Sequence, residues 1–148
     1  MDPLKRLLEK DKIVTTCTLL FNHTDARDWA GVQTCFAPEV LFDMTSLAGG
    51  VPVTLTPQAI TDGWEQGLKS LKAIHHQVGN FIVDVKDNQA EVFCYGIASH
   101  YLPNPTKNNT RVFVGSYDFH LCKLAEIWRI DRFKFNLKYV DGNKELTS

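Results

Sequence analysis

The sequence predicts an α+β domain: a curling antiparallel sheet covered by three N-terminal helices, with a cavity left where the sheet curls. Helical periodicity is concentrated in the first half of the chain and strand-like runs in the second, the order of segregated α+β folds. Those runs are joined by turn signals at hairpin spacing. With 148 residues, 44% apolar and 22% charged, the chain has the size and composition for one packed core and one domain, residues 1–148.

The elements follow in order. Asp2-Pro3 is an N-cap with proline at the first helical position. Leu4, Leu7, Leu8, Ile13, Val14, Leu20 and Phe21 then recur at helical spacing, so a long helix is expected to end near His23. A short second helix is expected over Asp28 to Phe36, stopped by Pro38. Glu39 to Thr45 reads as a strand, and Ala48-Gly49-Gly50-Val51-Pro52 as a loop. Thr56-Pro57 opens a third helix to about Leu71, with Ile60, Trp64 and Leu68 on one face. Four long strands close the chain: about His75 to Val85, Ala90 to Tyr101, Thr110 to Lys123 and Ile127 to Val140.

Composition excludes several partners. The net charge is −1 and no basic stripe is present, which argues against nucleic acid. No run approaches the ~18 apolar residues of a membrane span. The charged N-terminus lacks the apolar stretch of a secretion signal, and the four scattered cysteines suit reduced thiols, so a cytoplasmic protein is expected. No ligand spacing for a metal and no phosphate-cradling glycine loop occurs, so no cofactor is expected.

The histidines are the candidates for chemistry. His75 and His76 are adjacent on a strand and point to opposite faces, so one of them faces inward. On alternation, Val78, Asn80 and Ile82 share the face of His76. On the next strand Cys94, Gly96, Ala98 and His100 share a face whose small residues leave room for a pocket wall. The other face of that strand, with Phe93, Tyr95 and Ile97, is apolar enough to predict a homodimer formed through the sheet.

The segment Phe21 to Trp29 followed by Cys35-Phe36-Ala37-Pro38-Glu39-Val40 resembles the opening of SnoaL-like domains in the nuclear transport factor 2-like superfamily. His75-His76-Gln77-Val78-Gly79-Asn80 and Tyr139-Val140-Asp141-Gly142-Asn143 are similar to later segments of the same family. The resemblance implies a cone-shaped, cystatin-like fold, with a trimer as the alternative assembly. The spacing is similar to that of the scytalone dehydratase family, and this implies a small-molecule pocket and a cofactor-independent lyase or isomerase acting on a small apolar, cyclic substrate. It implies His76 as general acid/base, with Asp25 pairing with and supporting His100. Two tyrosines of that family fall on Thr24 and Met44 here, so the carbonyl-polarising part of the family's site is changed. Asn80, Tyr117 and Trp64 complete the expected substrate contacts. Two other readings suit the same scaffold: a non-catalytic ligand-binding module, and a structural subunit such as the β-subunit of a ring-hydroxylating dioxygenase.

Overall fold

In the computed structural model, residues 1–105 and 108–146 are described. Helix α1 (Pro3–Asp25) begins where Asp2 accepts a hydrogen bond from the Lys5 amide. It buries Ile13, Cys17, Leu20 and Phe21 at helical spacing. Helix α2 (Trp29–Thr34) is capped by Asp28 and leads into strand β1 (Phe36–Asp43). A one-turn helix α3 (Thr45–Ala48) and a short strand β2 (Val53–Leu55) follow. Then come α4 (Pro57–Leu68), β3 (Ala73–Lys86), β4 (Gln89–Tyr101), β5 (Thr110–Leu124) and β6 (Ile127–Gly142).

The six strands form one sheet in the order β2-β1-β6-β5-β4-β3. The chain is α+β as expected, but the sheet is mixed rather than wholly antiparallel: β1 runs parallel to β6, with Phe42 opposite Phe133. Tight hairpins force antiparallel pairing of β3 with β4 and of β5 with β6, and β5 pairs antiparallel with β4 across the longer connection from Tyr101 to Thr110. No hairpin joins β1 to β6, so the direction of β1 is free of that constraint.

The stretch read as a loop around Gly49 begins with α3. The Asp43 carboxylate accepts hydrogen bonds from the Thr45 amide and hydroxyl at 3.0 and 2.6 Å, which starts the turn of helix. Gly49, at φ +74°, ends it. The Ser46 hydroxyl then donates to the Phe135 carbonyl and accepts from the Leu137 amide, docking α3 on β6.

One irregularity decides which residues of β3 face inward. Pairing with β4 slips between Gly79 and Ile82, and Asn80 has φ +56°. One extra residue in a strand reverses every later side chain. Ile74, His76 and Val78 face the core before the bulge, and Phe81, Val83 and Val85 face it afterwards. Asn80 is exposed and Ile82 is 68% exposed, contrary to the simple alternation that placed both beside His76.

The main core lies between α1, α2, α4 and the sheet, and includes Phe36, Phe119, Leu121, Ile130 and Phe133. Cys17, Cys35 and Cys94 are buried free thiols, and Cys122 is half-buried. Burial holds the Cys17 thiol well above its ordinary pKa and pushes Cys35 and Cys94 up to about 11 and about 12. Tyr95 and Ile97 are exposed on the opposite face of β4. No helix among the described residues is long and apolar enough to cross a membrane.

Candidate active site

The site begins at the end of α1. Its last residue, Asp25, precedes a corner in which Arg27 takes the left-handed conformation. Arg27 donates to the carbonyls of Leu68 and Leu71, at 2.8 and 2.5 Å, and so ties this corner to the end of α4. The corner is thereby fixed against β3, where Asp25 meets His76. One carboxylate oxygen accepts the His76 backbone amide at 2.7 Å, and the other lies 2.6 Å from Nδ1 of the imidazole. A carboxylate oxygen facing Nδ1 calls for a proton on that nitrogen, which leaves Nε2 of a neutral ring as an acceptor. The Phe21 ring stacks on the imidazole at 5.1 Å between centroids and limits its rotation.

His76 lines a cavity of about 210 Å³ between the helices and the concave face of the sheet. Its walls are largely aromatic, including Phe113, Phe133 and Phe135. Among the expected ligand contacts, Thr24, Met44, Trp64 and Tyr117 line it together with His76 and His100. Asn80 does not, because the bulge turns it outward. Asp25 stands behind His76 rather than in the wall.

The pairing expected for His100 is corrected by the structure. Asp25 bonds to His76, while Nδ1 of His100 lies 3.0 Å from Nη2 of Arg111. The alternation of β4 does bring His100 to the cavity, but its hydrogen-bonded neighbour comes from β5, where Arg111 is directly opposite. A carboxylate paired with His100 would raise its pKa, and the structure has the opposite. Burial, the Arg111 cation and then His76 lower it to about 4, against a smaller upward effect of Asp25. His100 is therefore a neutral imidazole near neutral pH.

Tyr117 is only 5% exposed, and its phenol is held well above its ordinary pKa, first by burial. Among the described residues its hydroxyl has no hydrogen-bond partner, so its donor remains available at the cavity wall. The Thr24 hydroxyl, by contrast, donates to the Leu20 carbonyl at 2.7 Å. Met44 contributes a thioether beside α3 and no hydrogen-bond donor. The cavity thus combines one free imidazole acceptor with two donors on aromatic walls. That combination can remove a proton from a bound molecule while holding an oxygen or halogen elsewhere on it.

Sequence reasoning missed Arg111. The only signal for it is cross-strand register, which the eight-residue connection between Tyr101 and Thr110 conceals. It also missed Gly63 and Gly67 of α4, which line the cavity with backbone and leave open space where a Cβ would stand. No group of three or more metal-ligating side chains converges among the described residues.

The fold and the cavity together define a small-molecule-pocket protein of the curved-sheet type. The chain belongs to the SnoaL-like domain family, whose match spans residues 5–134. A comparison with curated proteins gives no match. Among solved structures it is similar to the Kfla4162 protein of Kribbella flavida, with a TM-score of 0.88 and 18% identity over 92% of this chain and 95% of that one. It is similar also to a Novosphingobium aromaticivorans DSM 12444 protein that carries the name scytalone dehydratase (TM-score 0.77, 16% identity, 97% of this chain and 93% of that one). Hexachlorocyclohexane dehydrochlorinase LinA-type3 of Novosphingobium barchaimii LL02 gives a TM-score of 0.80 and 11% identity over 99% of this chain and 98% of that one. At such identities the likeness is one of fold.

Proposed function

We propose that this chain is a cofactor-independent lyase that eliminates water or a similar leaving group from a small, largely apolar, cyclic substrate. The observation that carries the reading is the 2.6 Å contact between Asp25 and His76 at the cavity wall. It orients the imidazole with Nε2 free, as a general base requires. His76 takes a proton from a carbon made acidic by a neighbouring carbonyl. The C–H electron pair becomes the new double bond, and the bond to the leaving oxygen breaks. The departing hydroxide takes up the proton from His76, so water leaves and the imidazole is restored. His100 and Tyr117 supply hydrogen bonds to the oxygens as charge develops on them. An isomerase step uses the same proton removal followed by its return at another carbon.

The dehydratase and dehydrochlorinase names among structures of this fold are in keeping with an elimination. A non-catalytic binding module is the second reading, favoured by Thr24 and Met44, neither of which offers the cavity a free donor to polarise a carbonyl. We assign the protein to the cytoplasm and to a homodimer or trimer formed through the outer face of the sheet bearing Tyr95 and Ile97. Incubation with a panel of cyclic hydroxy-ketones in deuterated water tests the reading. Product formation, or deuterium incorporation at the acidic carbon, that depends on His76 supports it. Tight binding of panel members without exchange favours the binding module.

A further inference from the structure

His100 and Arg111 face each other across the β4–β5 ladder, in register and on the concave side of the sheet. Directly opposed residues bring their side chains close enough to interact. The next strand offers Arg111 no competing partner. Its register partner on β6 is Gly142, which has no side chain. Among the described residues no carboxylate pairs with Arg111. The guanidinium instead lies 5.2 Å from the centroid of the Phe113 ring and directs Nη2 at His100, while its buried Nε has no partner. An arginine without a carboxylate is held here by an aromatic ring and a histidine.

Arginine has only donors, so in this contact Nδ1 of His100 must accept. A neutral imidazole that accepts at Nδ1 carries its proton on Nε2. The neighbouring histidine is set the opposite way, since Asp25 requires the proton of His76 on Nδ1. We propose that Arg111 is a positioning residue that locks His100 as the Nε2–H tautomer, so that this imidazole presents the cavity with a donor only and leaves base chemistry to His76. The two histidines of one cavity then hold unlike roles because they stand against unlike partners. The charged or titratable groups that face His100 are Arg111 from β5, His76 from β3 and Asp25 from α1. Burial and the Arg111 cation oppose a second proton on the ring, which agrees with its lowered pKa.

The inference rests on the reading of the cavity as a reactive site, but its test reads protons rather than turnover. Nitrogen-15 correlation spectra of the histidine rings in the full chain report which nitrogen carries hydrogen. In the unaltered protein His100 should be protonated on Nε2 alone near neutral pH and remain so down to about pH 5. In Arg111→Met the ring should lose that preference and take its second proton about one pH unit higher or more. Arg111→Gln keeps a donor without the charge, so it should preserve the tautomer while raising the titration point. A proton on Nδ1 of His100 in the unaltered protein overturns the proposal, whether or not either variant folds. So does an unchanged tautomer and titration in Arg111→Met. A locked tautomer in a chain without His76-dependent exchange would defeat the proposed reaction and leave the role of Arg111 standing.

Discussion

Helix α1 carries two carboxylates into the protein interior, and they do opposite things. Glu9, near its start, is buried and fully engaged: Oε2 accepts from Trp128 Nε1 at 2.5 Å and Oε1 from Lys123 at 3.2 Å. Asp25, sixteen residues and roughly 24 Å further along the helix axis, is equally engaged by His76. The difference is in what comes next. The indole beyond Glu9 has no further polar valence, whereas the imidazole beyond Asp25 ends in a free nitrogen at a cavity. A hydrogen-bond network that closes on itself contributes stability, and one that ends in an unpaired atom contributes reactivity.

The strongest way to break that contrast is to exchange its outcomes by substitution. His76→Asn should lower the elimination or exchange rate by about 10²–10⁴ while leaving the urea midpoint nearly unchanged. Glu9→Gln should do the reverse, costing about 1–3 kcal/mol in urea unfolding with the rate per folded molecule retained. A His76 variant as destabilised as the Glu9 variant, and no less active, would show that both networks are structural.

A smaller effect sharpens the boundary between the cavity and the packed core. The space in front of Gly96 is filled by the Tyr117 ring, which a Cβ would strike. Gly96→Ala should therefore drive Tyr117 toward the cavity, with a loss of about 1–3 kcal/mol and weaker binding of cyclic ketones. Loss of stability with binding unaltered would mean that the ring yields elsewhere.

The pH dependence of stability separates the two regions by range. His100 titrates near 4 in the folded chain, below the ordinary histidine value of about 6.5. The unfolded chain thus takes up a proton that the folded chain refuses. This contribution is fully present above about 6.5 and is lost as pH falls toward 4. The pKa of Glu9 is lowered chiefly by the Trp128 hydrogen bond, so its contribution is present above the ordinary carboxylate range and is lost as pH falls through the folded value. His100→Gln should flatten the first part of the urea-midpoint curve, between about pH 6.5 and 4, and leave the acidic part in place. An unchanged slope in the first part would contradict the lowered pKa of His100.

The fold was legible where local rules act alone. The Asp2-Pro3 start of α1, the Thr56-Pro57 start of α4 and the hairpin around Asp87 and Asn88 all follow from capping and turn chemistry. The site was legible only as far as strand alternation holds. Alternation put His76 and His100 on the pocket faces of their strands, and the family resemblance added Tyr117, yet the bulge that exposes Asn80 gives no sign in a period-two pattern. Partnership was not legible at all. Whether Asp25 meets His76 or His100 depends on how the corner at Arg27 is anchored to α4, a contact between residues more than forty positions apart. The parallel β1 and the short α3 escaped for related reasons: a distant strand sets one, and an aspartate side chain at the end of a strand starts the other.

The free cysteines give this molecule built-in reporters. Cys17 lies on α1, Cys35 caps α2 and Cys94 lies on β4, and each thiol is both buried and held in its unreactive protonated form. A thiol reagent can reach them only when the element covering them has opened. The sequence in which the three are alkylated under mild denaturant therefore records the order in which helix and sheet part, without any label being added to the chain.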